Sequence, residues 1–172
     1  MQFNFFLVAA LSALVPLIVG FIWYHPSVFG KTWMNINGFD EAKMKQGFNM
    51  PLVFGLTYLF SFFIAFILSG VVIHQMGFYS MLQNHFTEPA IQKMFTDVMS
   101  TSTLATDFRT FKHGALHGGI AAIGLAMPIV GINALFERRG FKYIAIHTGF
   151  WLVCLILMGG ILCQFIDLNT LG

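Results

Sequence analysis

Two histidines, His113 and His117, stand four residues apart at the start of a long apolar run. On a helix that spacing puts both imidazoles on one face, where they can reach a single metal ion. His74 closes the preceding apolar run and is the expected third ligand. His85, Glu88 and Asp107, between the two runs, could supply a further donor. Zinc, copper and haem iron all accept imidazole. The same histidines also read as headgroup-level side chains bonded to backbone or water, or as a proton relay close to water. No Glu follows His113, as the helical motif of hydrolytic zinc enzymes requires, so metalloprotease chemistry has no support.

A second polar group gathers where that run ends. Asn133 and Glu137 are again four apart, and Glu137 could pair with Lys31, Arg138 or a protonated His25 or His147. Lys31, Asn133, Glu137 and Arg138 read as a polar clasp that holds a hairpin turn, or as a gate for protons or substrate. Lys31 by itself reads as a snorkelling charge that sets orientation. The thiols are Cys154 and Cys163, nine residues apart on one expected helix. Nine residues is about 13.5 Å of rise with a half-turn offset, so the two cannot pair within that helix. Nothing near either one would activate it as a nucleophile. No catalytic residue is assigned, and a non-enzymatic role is expected over an enzymatic one.

The elements that must position these residues follow from composition. Of 172 residues, 57% are hydrophobic and 9% charged, with mean hydropathy +0.76. Soluble domains carry roughly 25% charged residues, so an integral membrane protein is expected, in one domain covering 1–172. A net charge of +2 from scattered basic residues excludes a nucleic-acid partner. Four charge-poor runs, 3–24, 51–73, 114–136 and 143–166, are each long enough to cross a core of about 30 Å. The expected fold is all-α, a four-helix membrane bundle. The first run lacks the basic start and cleavage site of a signal peptide and is read as a span. Pro16 and Pro128 should kink their spans. No charge lies deep in any run, which argues against a pump with a midplane carboxylate.

Small residues mark the packing faces. Ser61, Ala65 and Ser69 recur every four residues, as do Gly114, Gly118, Ala122 and Ala126. In the first loop, Asp40 to Lys45 should form a short polar helix capped near Asp40. In the second, Ile91, Met94, Phe95, Val98 and Met99 follow helical spacing, with Glu88, Gln92, Lys93, Thr96 and Asp97 opposite. That predicts an amphipathic helix over about 88–100, lying on the membrane surface or capping the bundle. Trp23, Tyr24 and Trp33 read as interface anchors where the first span leaves the bilayer.

Basic residues set the expected orientation. Loops one and three share a side and hold Lys31, Lys43, Lys45, Arg138, Arg139 and Lys142; the other side holds Lys93, Arg109 and Lys112. That bias places loops one and three in the cytoplasm and both termini outside. His25 and His147 then lie inside, and His74, His85, His113 and His117 outside.

Trp23-Tyr24-x-Pro26 followed by Phe29-Gly30-Lys31-x-Trp33 resembles the signature of a family of small bacterial integral membrane proteins, domain of unknown function 1761. The Asn133-x-x-Phe136-Glu137-Arg138 turn, Gly149-Phe150 and Met158-Gly159 are similar to its C-terminal half. The long second loop and the His-Gly-Ala-Leu-His-Gly segment depart from its shorter members. The resemblance implies a multi-span fold in the bacterial inner membrane and carries no activity or site residue. The expected function is therefore a structural, interaction or small permeation component, in the bilayer as a homo-oligomer or with a membrane partner. The alternative is a histidine-bound metal or haem site at the outer face, serving metal handling or electron transfer.

Overall fold

The computed structural model describes residues 2–40, 43, 47, 49–101 and 103–168. Among these residues the regular structure is helical, apart from one isolated bridge between Phe3 and Ile166. Four helices are long and apolar enough to cross a membrane: span 1, Phe5–Trp23; span 2, Met50–Val72; span 3, Phe111–Phe136; and span 4, Phe141–Phe165. Each lies within three residues of its expected position. The chain thus has the build of a multi-pass membrane protein. Large apolar side chains on its outside, such as Phe21 at 81% exposed and Phe136 at 87%, suit a lipid surround.

Pro16 and Pro128 distort their spans in different ways. Span 1 is two pieces, Phe5–Ser12 and Val15–Trp23, with Pro16 in the first turn of the second. There its missing N–H costs nothing, and the break falls just before it. In span 3 a wide π-helical turn, Ala122–Ala126, precedes the Met127–Phe136 segment that carries Pro128. Proline cannot donate and crowds the carbonyl four residues back, and the wider turn makes room.

Span 4 is the centre of the bundle and touches the other three. Its seam with span 3 is set by glycine. A Cβ on Gly114 would sit 2.1 Å from the Gly159 carbonyl oxygen, and one on Gly118 would sit 2.0 Å from that of Leu155. Both are inside van der Waals contact, so the backbones meet directly here. Ala122 continues the seam, fully buried; Ala126 is half-buried. On span 2, Ser61, Ala65 and Ser69 are all buried, as the small-residue pattern required.

Helix ends are capped by side chains the sequence places there. Asn4 Oδ1 accepts from Phe6 N at 3.0 Å, Asn49 Oδ1 from Leu52 N at 3.2 Å, and Thr110 Oγ1 from His113 N at 3.2 Å. Phe3 N donates to Phe165 O at 2.7 Å and Asp167 N to Phe3 O at 2.8 Å, so the two ends of the chain meet at one end of the bundle.

Between spans, two helices appear that hydropathy does not mark: Lys31–Asn37, closed by Gly38 at φ 68°, and His74–Leu82. The amphipathic helix is Pro89–Thr101. It packs through Phe95 on Phe78 (5.7 Å between rings) and Phe86 (5.2 Å). Of the polar helix expected after Asp40, Glu41 and Lys45 lie outside the described residues; Asp40 Oδ1 does accept from Lys43 N at 2.7 Å.

Candidate metal centre

His74, His113 and His117 come together at the end of the bundle where the chain termini meet. One nitrogen from each lies within 4.8 Å of the others. His113 Nε2 and His74 Nε2 are 2.9 Å apart, and the ring centroids are 4.9, 4.9 and 4.5 Å apart. Span 3 supplies His113 and His117 on one face, one turn apart. His74 arrives by a sharp redirection: Ile73, at φ −111° and ψ 97°, breaks span 2 and starts the next helix at His74. Phe108, held at φ 63°, packs its ring 5.1 Å from His113 and 6.0 Å from His74.

At 2.9 Å one imidazole donates its Nε2 hydrogen and the other accepts. A metal ion would replace that shared hydrogen. Tetrahedral metal–nitrogen bonds of about 2.0–2.1 Å need nitrogens roughly 3.3 Å apart, so small rotations of the exposed His74 ring and the half-buried His113 and His117 rings would convert the cluster into a three-ligand site. The fourth position would be open, as in sites that hold water or substrate. A haem fits poorly, because the three imidazole rings pack with centroids 4.5–4.9 Å apart and leave no room for a macrocycle between them. His85 does not join the cluster; its Nδ1 contacts Glu88 at 2.9 Å. Asp107 Oδ2 accepts from Thr103 Oγ1 at 3.1 Å. Among the described residues the cluster therefore includes no carboxylate, and a bound dication would keep its charge for an exogenous ligand.

Two residues that sequence reasoning did not single out hold the surroundings. Arg109 Nε donates to Cys163 O at 2.7 Å, and its Nη2 donates to Ile166 O. Burial pulls the Arg109 guanidinium below its ordinary pKa, against the opposing pull of Cys163 and Asp167. Gln75 Nε2 donates to Leu104 O at 2.7 Å and to Asp107 O at 2.9 Å, strapping the 103–109 segment to the helix that begins at His74. A polar glutamine one residue after an apolar run was the only signal, and it names no partner.

The opposite end holds the other polar group. Glu137 Oε2 meets Arg139 Nε at 3.6 Å, and Arg139 Nη1 donates to Ile36 O at 3.0 Å, so Arg139 ties the turn to the Lys31–Asn37 helix. Arg138 occupies a left-handed turn position at φ 55°. Asn133 contributes its backbone carbonyl to Glu137 N at 2.9 Å. The aromatic anchors are packed on span 4. Trp23 Nε1 donates to Ile146 O at 3.2 Å, and the Tyr24 ring packs at a tilt against Trp33 (5.3 Å) and Phe150 (5.4 Å). Tyr24 Oη lies 3.5 Å from His147 Nδ1. Burial, then Cys154 and Tyr143, pushes the Tyr24 phenol far above its ordinary pKa, so it stays protonated. His147 thus belongs to this end and not to the triad.

No curated protein and no solved structure matches the chain. Residues 7–163 match the family model for a protein of unknown function, DUF1761, and with nearly the whole chain covered it belongs to that family.

Proposed function

We propose that this membrane protein binds one transition-metal ion, zinc or copper, through His74, His113 and His117, and that its role lies in metal handling. The observation that carries the reading is the convergence of three imidazole nitrogens within 4.8 Å, from span 3 and from the His74–Leu82 helix, with His74 and His113 39 residues apart in sequence. Imidazole suits both metals, and the open fourth position lets the ion be exchanged or present a ligand. The proposed setting is the bacterial inner membrane, with both termini and the triad outside and the Arg138-Arg139 turn in the cytoplasm.

The test is a zinc and copper titration of protein purified without a histidine tag and stripped with chelator. One equivalent per chain is expected, with affinity falling more than about 100-fold in His113→Ala, since even outer-shell partners of a metal cost 10–100-fold. Metal analysis that finds none, together with unchanged heat on titration, defeats the reading. So does binding that survives replacement of all three histidines.

A structural or permeation role is the second reading. The glycine seam that pointed to assembly is used inside the chain, between spans 3 and 4. The outer face of span 3 is still open, with Ile123 56%, Leu125 62% and Leu135 71% exposed. That face suits lipid or a second copy, and the oligomeric state in lipid nanodiscs distinguishes them.

A further inference from the structure

Phe108 is in a place that neither backbone preference nor core packing explains. Its backbone is held at φ 63°, in the left-handed region where a bulky residue is an outlier. Its side chain is 62% exposed, so burial does not hold it there. Such a conformation persists only where the surroundings over-determine it, and it clusters at functional sites. Here the chain is pinned on both sides. Gln75 Nε2 bonds Leu104 O and Asp107 O, and Arg109 bonds Cys163 O and Ile166 O. Phe108 O itself accepts from Thr110 N at 2.9 Å. Cys163 Sγ lies 3.3 Å from Phe108 O and 3.3 Å from Val72 O. One thiol therefore touches the backbone that carries Phe108 and the end of span 2, two residues before His74.

What this strained backbone delivers is the phenyl ring. The ring lies 5.1 Å from His113, tilted by 34°, and meets His74 edge to face at 6.0 Å and 78°. These are the two imidazoles whose Nε2 atoms are 2.9 Å apart. A phenyl group has no donor or acceptor to compete for an imidazole nitrogen, and no ligand atom to compete for an ion. It restricts the turning of both rings by contact alone. Asparagine, a commoner occupant of left-handed positions, would offer the histidines two donors and an acceptor instead.

We infer that Phe108 is the positioning residue of the His74–His113 pair: its ring, in contact with both imidazoles, holds their Nε2 atoms converged before any ion arrives. The consequence for metal affinity rests on the proposed metal site; the convergence itself does not. Imidazoles ordered in advance lose less freedom when they close on an ion, so the ring should raise affinity without touching the metal.

The experiment has a metal-free arm and a zinc arm, both on tag-free, chelator-stripped protein in lipid nanodiscs at mildly alkaline pH, where imidazole is neutral. With 15N-labelled histidine, the wild type should show scalar coupling between two imidazole nitrogens across their shared hydrogen. Phe108→Gly accepts the left-handed backbone freely and removes the ring. It should lose the coupling and bind zinc at least tenfold more weakly, the loss typical of partners outside the ligand set. Phe108→Leu keeps an apolar side chain without a flat ring and should shift both readouts in the same direction, so the test does not hang on the glycine variant folding. Phe108→Tyr keeps the ring and should behave as wild type. Phe78→Leu removes a neighbouring phenyl that stacks on Phe95 at 5.7 Å and should change neither readout. A wild type without coupling, coupling that survives Phe108→Gly and Phe108→Leu, or measurable zinc affinity equal in wild type and both variants overturns the inference. Coupling that is lost in Phe108→Gly and kept in Phe108→Tyr, in a protein that binds no zinc, supports it and removes the metal reading instead.

Discussion

Arg109 Nε donates to the Cys163 carbonyl at 2.7 Å, from a loop 54 residues earlier in the chain. With its second bond, to Ile166 O, the guanidinium satisfies carbonyls at the C-terminal end of span 4. Those carbonyls have no partner within the helix. A cation is also favoured by the helix dipole at that end. The same contact fixes the loop that carries Phe108 beside the histidines. Cys163 Sγ adds a contact of 3.3 Å to Phe108 O.

Removing this clamp should therefore weaken both the fold and the triad. Hydrogen bonds to charged groups contribute about 1.5–3 kcal/mol each, so loss of the two in Arg109→Met should lower unfolding free energy by about 3–6 kcal/mol. Arg109→Lys keeps the charge but not the fork and should recover less than half. Unfolding in a denaturing-detergent titration checks both. Identical curves for wild type and Arg109→Met would mean the clamp is idle.

The glycine seam gives a position-specific prediction. Gly118→Ala puts a Cβ 2.0 Å from the Leu155 oxygen, against backbone that cannot swing away. Spans 3 and 4 must separate, at a cost of about 1–3 kcal/mol by the measure of other overpacked sites. Gly131→Ala, on the same span with nothing within 4 Å of the added carbon, is the control. It should be neutral or slightly stabilising, because alanine is the better helix former. Equal effects from the two would show that the seam is not close-packed.

The contrast between these residues explains what was legible in the sequence. Spans could be read because burial in lipid needs a long uncharged run, and that is a property of consecutive residues. Gly114 and Gly118 could be read because a small-residue stripe has one plausible use. His113 and His117 share a face by spacing alone, and His74 was drawn in by its position at a neighbouring span end. Gln75 and Arg109 could not be read, because each is defined by carbonyls tens of residues away. The same holds for Arg139, which donates to Ile36 O and meets Glu137 where the sequence pointed to Arg138. The break at Ile73 was invisible too: an isoleucine with extended backbone looks in sequence like one more residue of the helix.

Metal binding at the triad should depend on pH in a fixed direction. Imidazole must lose its proton before it can coordinate, so zinc competes with protons for each ligand. Affinity should be full at neutral and alkaline pH and fall as the solution is acidified through the imidazole range, near 6.5 for a free side chain. With three ligands the slope should exceed one decade per pH unit, and replacing His117 should make it shallower. A slope that is flat from pH 8 to pH 5 would assign the zinc to carboxylates instead.

Tyr24 gives a second pH dependence, of opposite sense. Burial raises its phenol pKa in the folded protein far above the ordinary 10.0. A group whose folded pKa is raised contributes stability that is complete below its unfolded pKa and is lost as pH rises above it. The fold should therefore weaken from about pH 10 upward. Tyr24→Phe removes that contribution, so the stability difference between wild type and variant should change across pH 9–11. A constant difference would mean that Tyr24 is not buried as described.

The pairing of Phe3 with Phe165 and Asp167 bears on topology. It holds both chain ends on one face, with the Glu137 to Gly140 turn on the other. The excess of basic residues in loops one and three is the basis for the proposed placement of Lys31, Arg138, Arg139 and Lys142 in the cytoplasm. Compartment-sensitive reporters fused at residue 2 and after residue 168 should both report the outside. A cysteine introduced by Gly140→Cys, where an added side chain meets nothing within 4 Å, should be labelled only from the cytoplasmic side. Reporters on opposite faces would break the four-span arrangement itself. Both ends inside, with Gly140→Cys labelled from outside, would keep the bundle but put the triad on the cytoplasmic face, where it would draw its metal from the cell interior.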